Sequence, residues 1–198
     1  MLIPQLRLLS LSLTNPIAQA GEPCRTWVVL AGKRPAVKIY RMYTTQWLPM
    51  SLEEAWDFFS SPRNLSKITP AEMRFEILEG ADRKAFAGQL IRYKVRPLLG
   101  IPLSWTTEIK QCVDKDYFVD EQRFGPYKLW HHLHRFTEKD GGVWMEDDLH
   151  YGLYGGPFAP LTNLIVAPRV KAIFDFRTTK LEELFGKPDT VLMQANVG

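Results

Sequence analysis

His132 and His134 stand two residues apart in a stretch, Trp130 to Phe136, whose alternation reads as a β-strand, so both rings leave one face. Asp140-Gly141-Gly142 just beyond is a hairpin turn signal. Counting back from it pairs Phe136 with Met145, His134 with Asp147, His132 with Leu149 and Trp130 with Tyr151. Two imidazoles with a carboxylate on the neighbouring strand support three chemistries. They could ligate iron or zinc. Asp147 could orient and charge His134 as an acid/base pair. Or the groups could satisfy one another, or anchor the polar end of a ligand. The last reading is adopted, with no metal or cofactor assigned and with His134 and Asp147 as the candidates should catalysis occur.

Other reactive residues offer less. Cys24 and Cys112 are too few for a disulfide scaffold or a structural zinc site, and Cys112 reads as a small apolar residue. Arg177 could hold a carboxylate or phosphate at a cavity mouth, but a surface pairing with Asp or Glu is the expectation. The chain shows no nucleophile elbow, phosphate-binding loop or zinc-protease helix.

The elements that position these residues follow from periodicity. Residues 38–48 alternate and are rich in Tyr, Ile and Thr, which predicts a strand. Ser51-Leu52-Glu53-Glu54 is a capping box, opening a helix with Leu52, Ala55, Trp56 and Phe59 on one stripe. Pro62 starts a second short helix that Thr69-Pro70 stops. Six strands follow near 73–79, 88–96, 103–113, 116–124, 127–137 and 143–152, at hairpin spacing. Residues 158–185 then return to helical spacing, with Leu161, Leu164 or Ile165, Ala172, Phe176 and Leu181 as the inner stripe and Pro168 as a kink or break. The fold class is α+β: a seven-stranded antiparallel sheet curved around a long C-terminal helix, which alone is large enough to cover one face.

The inner face of that sheet is apolar with polar groups mixed in. The Asp114-Lys115 turn pairs Ile109 with Asp120, Thr107 with Gln122 and Trp105 with Phe124. Ile91, Tyr93 and Val95 face in, and Arg92, Lys94 and Arg96 face out. An apolar wall with a few convergent polar groups is how small-molecule sites are built. The expected lining is Tyr93, Trp105, Ile109, Phe124, Trp130, Phe136, Met145, Leu149, Tyr151 and Phe176. Thr107, Gln122, His132, His134 and Asp147 would orient the polar end.

The combination of Trp47-Leu48-Pro49, Ala55-Trp56-Asp57-Phe58-Phe59, Pro62-Arg63-Asn64-Leu65, Ile68-Thr69-Pro70, Phe118 to Tyr127, Trp130-His131-His132-Leu133-His134 and Phe174-Asp175-Phe176-Arg177 resembles the START-like, or SRPBCC, superfamily and its birch-pollen-allergen helix-grip fold. The resemblance spans Ile39 to Gly186 and is nearest to a bacterial group of stand-alone domains. It implies a cavity between sheet and helix that binds a hydrophobic small molecule or lipid. It also implies an alternative, since some members are cyclases or aromatases: an enzyme of that kind, or a hydrolase, using His134 and Asp147 in the same cavity.

Charge and length bound the partners. The 198 residues carry 25 Lys and Arg against 22 Asp and Glu, a net of +3. Arg7, Arg25, Lys33 and Arg34 against Glu22 account for all of it. Residues 38–198 are therefore balanced, which argues against nucleic acid as a partner. No apolar run approaches the ~20 residues of a membrane-spanning helix, so no integral membrane association is expected. Residues 1–37 read as an extension outside the domain of 38–187. It is expected to be disordered, or foreign to the natural protein, with translation starting at Val37. Residues 188–198 read as a tail. Residues 1–20 match a secretory signal poorly, with one Arg7 after Pro4 and an apolar stretch only six residues long, Leu8 to Leu13, that two serines interrupt. A cytoplasmic location is the expectation and secretion the alternative.

Overall fold

The structure, a computed structural model, describes residues 37–96 and 100–187. The expectations for residues 1–36 and 188–198 lie outside the described residues. β1 (Ile39–Leu48) leads through Pro49 to α1 (Leu52–Phe59). The capping box forms as read: Glu54 N donates to Ser51 Oγ at 3.3 Å, and Ser51 N donates back to the Glu54 carboxylate at 2.9 Å. The segment after Ser61 is a tighter 3-10 helix, Pro62–Ile68, followed by a single turn at Ala71–Met73. Six strands come next: β2 (Glu76–Glu79), β3 (Leu90–Val95), β4 (Leu103–Val113), β5 (Tyr117–Phe124), β6 (Leu129–Lys139) and β7 (Gly142–Gly152). α2 (Ala159–Phe185) closes the described chain.

The seven strands form one antiparallel sheet in the order β1-β7-β6-β5-β4-β3-β2. Hairpin neighbours pair in sequence, and β1 closes the far edge against β7, with Thr44 opposite Asp147. The β6–β7 register is the one counted from Asp140-Gly141. The β4–β5 ladder keeps Ile109 opposite Asp120 and Thr107 opposite Gln122, but a bulge between Thr106 and Thr107 sets Phe124 opposite Thr106 instead of Trp105. One inserted residue moves a side chain to the other face. Phe124 is consequently 74% exposed.

α2 covers the inner face of the sheet. Pro168 does not divide it: one helix runs through that position. Its phase differs from the one read from the sequence. Val170, Phe174, Arg177 and Leu181 are the buried stripe, while Leu161, Leu164 and Ile165 are exposed. In the first half of this helix apolar residues fall on several sides, with Thr162, Asn163, Arg169 and Lys171 between them, so periodicity there selects no single face. Val170 and Phe174 pack with Leu149, Tyr151 and Leu153. Leu181 joins Leu48, Trp56, Val143 and Met145 near α1.

Candidate functional site

β5, β6 and β7 together place four ionisable side chains on the inner face. Asp120 is directly opposite His132 across the β5–β6 ladder, and Asp147 is opposite His134 across the β6–β7 ladder. The two rings thus alternate with two carboxylates. His132 Nε2 is 2.9 Å from Asp147 Oδ1, and His134 Nε2 is 3.0 Å from Asp120 Oδ2. The crossed distances are also short: 3.5 Å from His132 Nδ1 to Asp120 Oδ2, and 2.8 Å from His134 Nδ1 to Asp147 Oδ1. The last pair is close but out of line, and His134 Nδ1 makes no hydrogen bond. The ring centroids lie 3.8 Å apart. Trp130 Nε1 donates to the second Asp120 oxygen, Oδ1, at 3.2 Å.

Arg177 approaches from α2. Its Nη1 is 3.8 Å from Asp147 Oδ1, its guanidinium lies over the Phe174 ring, and it is only 9% exposed. The expected surface pairing does not form, because Arg177 shares the inward helix face with Val170, Phe174 and Leu181. Ion pairs withdrawn from water persist only when charges and hydrogen bonds compensate one another. Burial alone disfavours the charge on His132, but hydrogen bonds to Asp120 and Asp147 outweigh it and raise its pKa to about 9. Burial likewise opposes the carboxylate charges, yet the neighbouring histidines hold Asp120 and Asp147 below the usual carboxylate range.

A partly open cavity of about 90 Å3 reaches this group. Asp120, His134 and Arg177 form its polar end; Tyr93, Thr107, Ile109 and Phe118 line the sheet side; Phe58, Phe59, Leu65 and Ile68 line the opposite wall. Tyr93 and Thr107 join their hydroxyls at 2.6 Å, and burial pushes the Tyr93 phenol up in pKa.

Tyr93, Thr107, Ile109 and His134 thus face the cavity, and the other residues read from the sequence do not. Trp105, Trp130 and Tyr151 are engaged with Tyr127 in an aromatic cluster, with Trp105 and Trp130 meeting edge-to-face at 5.1 Å. Phe136 and Met145 are packed in the core around Trp56, and Leu149 packs under α2. His132 and Asp147 lie behind His134. Gln122 uses its amide on the backbone of Tyr127, donating to the carbonyl at 2.6 Å and accepting from the N–H at 3.1 Å. Phe124 turns outward at the bulge. Phe176 is half-buried beside the inward stripe of α2, which Phe174 occupies. Asp120 and Arg177 belong to the site. The Asp114-Lys115 register carried the signal for Asp120, since it sets that residue opposite the inward Ile109; Arg177 had no such marker.

No family model and no curated protein sequence matches the chain. Solved structures do. Protein Ms6760 from Mycobacterium smegmatis superposes with a TM-score of 0.54 at 18% identity, over 73% of this chain and 89% of its own. TTHA0849 from Thermus thermophilus gives 0.55 at 14%, over 79% and 99%. Ara h 8.0201 gives 0.52 at 12%, over 74% and 99%. The architecture these structures share with β1–β7 and α2 is that of the birch-pollen allergens, and the chain has the helix-grip fold.

Proposed function

We propose that the protein binds an apolar small molecule, or the end of a lipid, in the cavity between the sheet and the α1 side, with Asp120, His134 and Arg177 holding its polar end. One observation carries this reading: an apolar cavity that terminates at buried, charged groups. A wall of Phe58, Phe59, Leu65, Ile68, Ile109 and Phe118 drives burial at about 25 cal/mol per Å2 of apolar surface, before ordering costs. The polar end sets orientation. Sites that enclose drug-sized ligands measure roughly 300–1,000 Å3. The present cavity therefore admits a compact group or one end of a longer molecule, and a larger guest requires Phe58, Phe59 and Leu65 to move outward.

The enzymatic alternative has less support. Its candidate pair, His134 and Asp147, is not joined by a hydrogen bond, and His134 Nε2 is engaged by Asp120 at 3.0 Å. The test is native mass spectrometry of the purified protein, with solvent extraction of anything bound and titration with the apolar dye anilinonaphthalene sulfonate. An extractable apolar molecule, or saturable dye uptake at one site, is expected. Protein that is repeatedly empty and takes up no dye overturns the reading.

A further inference from the structure

The geometry points to a site for one divalent first-row transition cation, held by Asp120 Oδ2, His132 Nδ1 and His134 Nε2, with Asp147 behind both rings. Two observations converge on it. The donor atoms of these three residues all lie within 4.8 Å of one another. Asp120 Oδ2 is 3.0 Å from His134 Nε2 and 3.5 Å from His132 Nδ1. Metal bonds of about 2.0–2.2 Å set neighbouring donors about 3–3.5 Å apart, so the two carboxylate–imidazole spacings already suit a shared ion.

The surroundings match what a ligand set requires. A metal-bound histidine almost always turns its other nitrogen to a carboxylate or carbonyl, which fixes its orientation. Asp147 Oδ1 stands 2.9 Å from His132 Nε2 and 2.8 Å from His134 Nδ1, so one oxygen serves both rings. His134 Nδ1 is buried without a hydrogen bond, although Asp147 Oδ1 lies within reach of it. Trp130 Nε1 holds Asp120 Oδ1 and leaves Oδ2 for the ion. Asp120 supplies one negative charge to a buried dication, and Asp147, whose charge is shared with Arg177 at 3.8 Å, supplies part of a second.

Two imidazoles and one carboxylate favour zinc, iron(II) or cobalt(II) over calcium or magnesium, which prefer oxygen alone. Three protein donors leave coordination positions open, and two of those donors, Asp120 and His134, also line the cavity. The inference stands without the identity of any apolar ligand, because the ion alone is its probe.

The experiment uses the full chain, stripped with a chelator and titrated with cobalt(II) at about pH 8, where uptake must displace the proton that Asp120 and Asp147 hold on His132 and so releases it to the buffer. The chain has four histidines, and His131 and His150 pair on the outer face with ring centroids 6.4 Å apart. They are the competing surface site. One equivalent of cobalt is expected, with paramagnetic shifts of the His132 and His134 ring protons ahead of those of His131 and His150. Asp120→Asn and His134→Gln should weaken uptake by on the order of 100-fold or more, and Asp147→Asn by about 10–100-fold. The double variant His131→Ala, His150→Ala should bind as the parent does. No stoichiometric uptake by the parent overturns the proposal. So do shifts confined to His131 and His150, and the parent spectrum decides this even if the inner variants fail to fold.

Discussion

Asp147 stands directly opposite His134 across the β6–β7 ladder, yet its in-line hydrogen bond goes diagonally to His132, Oδ1 to Nε2 at 2.9 Å. Its neighbour across the ladder is closer but badly aligned, at 2.8 Å. One carboxylate oxygen therefore serves two rings and lies 3.8 Å from Arg177, and the charges on the inner face are coupled through it.

Removing that oxygen should be costly. Asp147→Ala leaves His132 and Arg177 buried with one counter-charge fewer, and breaking a buried pair costs about 3–5 kcal/mol. Asp147→Asn keeps an acceptor for His132 and should cost less than Ala. Urea unfolding midpoints measure both. A loss below about 1 kcal/mol for Asp147→Ala would show that the charges are not coupled as described.

The phase of α2 gives a second test. Leu181 is fully buried against Leu48, Trp56 and Val143, so Leu181→Ala should destabilise by about 2–5 kcal/mol. Leu164 is 71% exposed, and Leu164→Ala should stay within about 0.5 kcal/mol. Thermal unfolding of the two variants separates them. Equal effects would contradict the stripe through Val170, Phe174, Arg177 and Leu181.

The capping box of α1 has a pH signature. Backbone and side-chain hydrogen bonds from Ser51 hold the Glu54 carboxyl below its ordinary 4.5 in the folded protein. A depressed folded value contributes stability above the unfolded value and loses it as pH falls through the folded one. Ser51→Ala should cost about 1 kcal/mol near neutral pH. Glu54→Gln should lower the melting temperature near neutrality and converge with the parent in acid. Melting curves across that range check the sign, and a deficit that grows on acidification would contradict it.

Cavity filling tests the binding site without touching its charges. Ala85 lines the cavity and is half-buried. Ala85→Phe should abolish anilinonaphthalene sulfonate uptake while the far-ultraviolet circular dichroism stays that of the parent. Unchanged uptake would move the apolar site elsewhere.

The sequence by itself determined the order of the strands, the β6–β7 register and the capping box, because each rests on contacts between residues close along the chain. The Asp140-Gly141 turn sets the whole β6–β7 ladder and brings Asp147 beside the two histidines. Only the tertiary structure decided what happens between elements far apart in sequence. The β5–β6 register runs through Gly125–Lys128, where the Gln122 amide ties down Tyr127, and it brings Asp120 opposite His132 to complete the alternating group. The bulge at Thr106 turned Phe124 outward, and packing gathered Trp105, Trp130, Tyr127 and Tyr151 into one aromatic cluster. The inward face of α2 was undetermined for the same reason. Apolar residues fall on several sides of its first half, and its one inward charge, Arg177, is buried where Asp147 stands 3.8 Å away on β7. Local periodicity places side chains on a face, but which faces meet depends on the volumes and charges available across the whole interior.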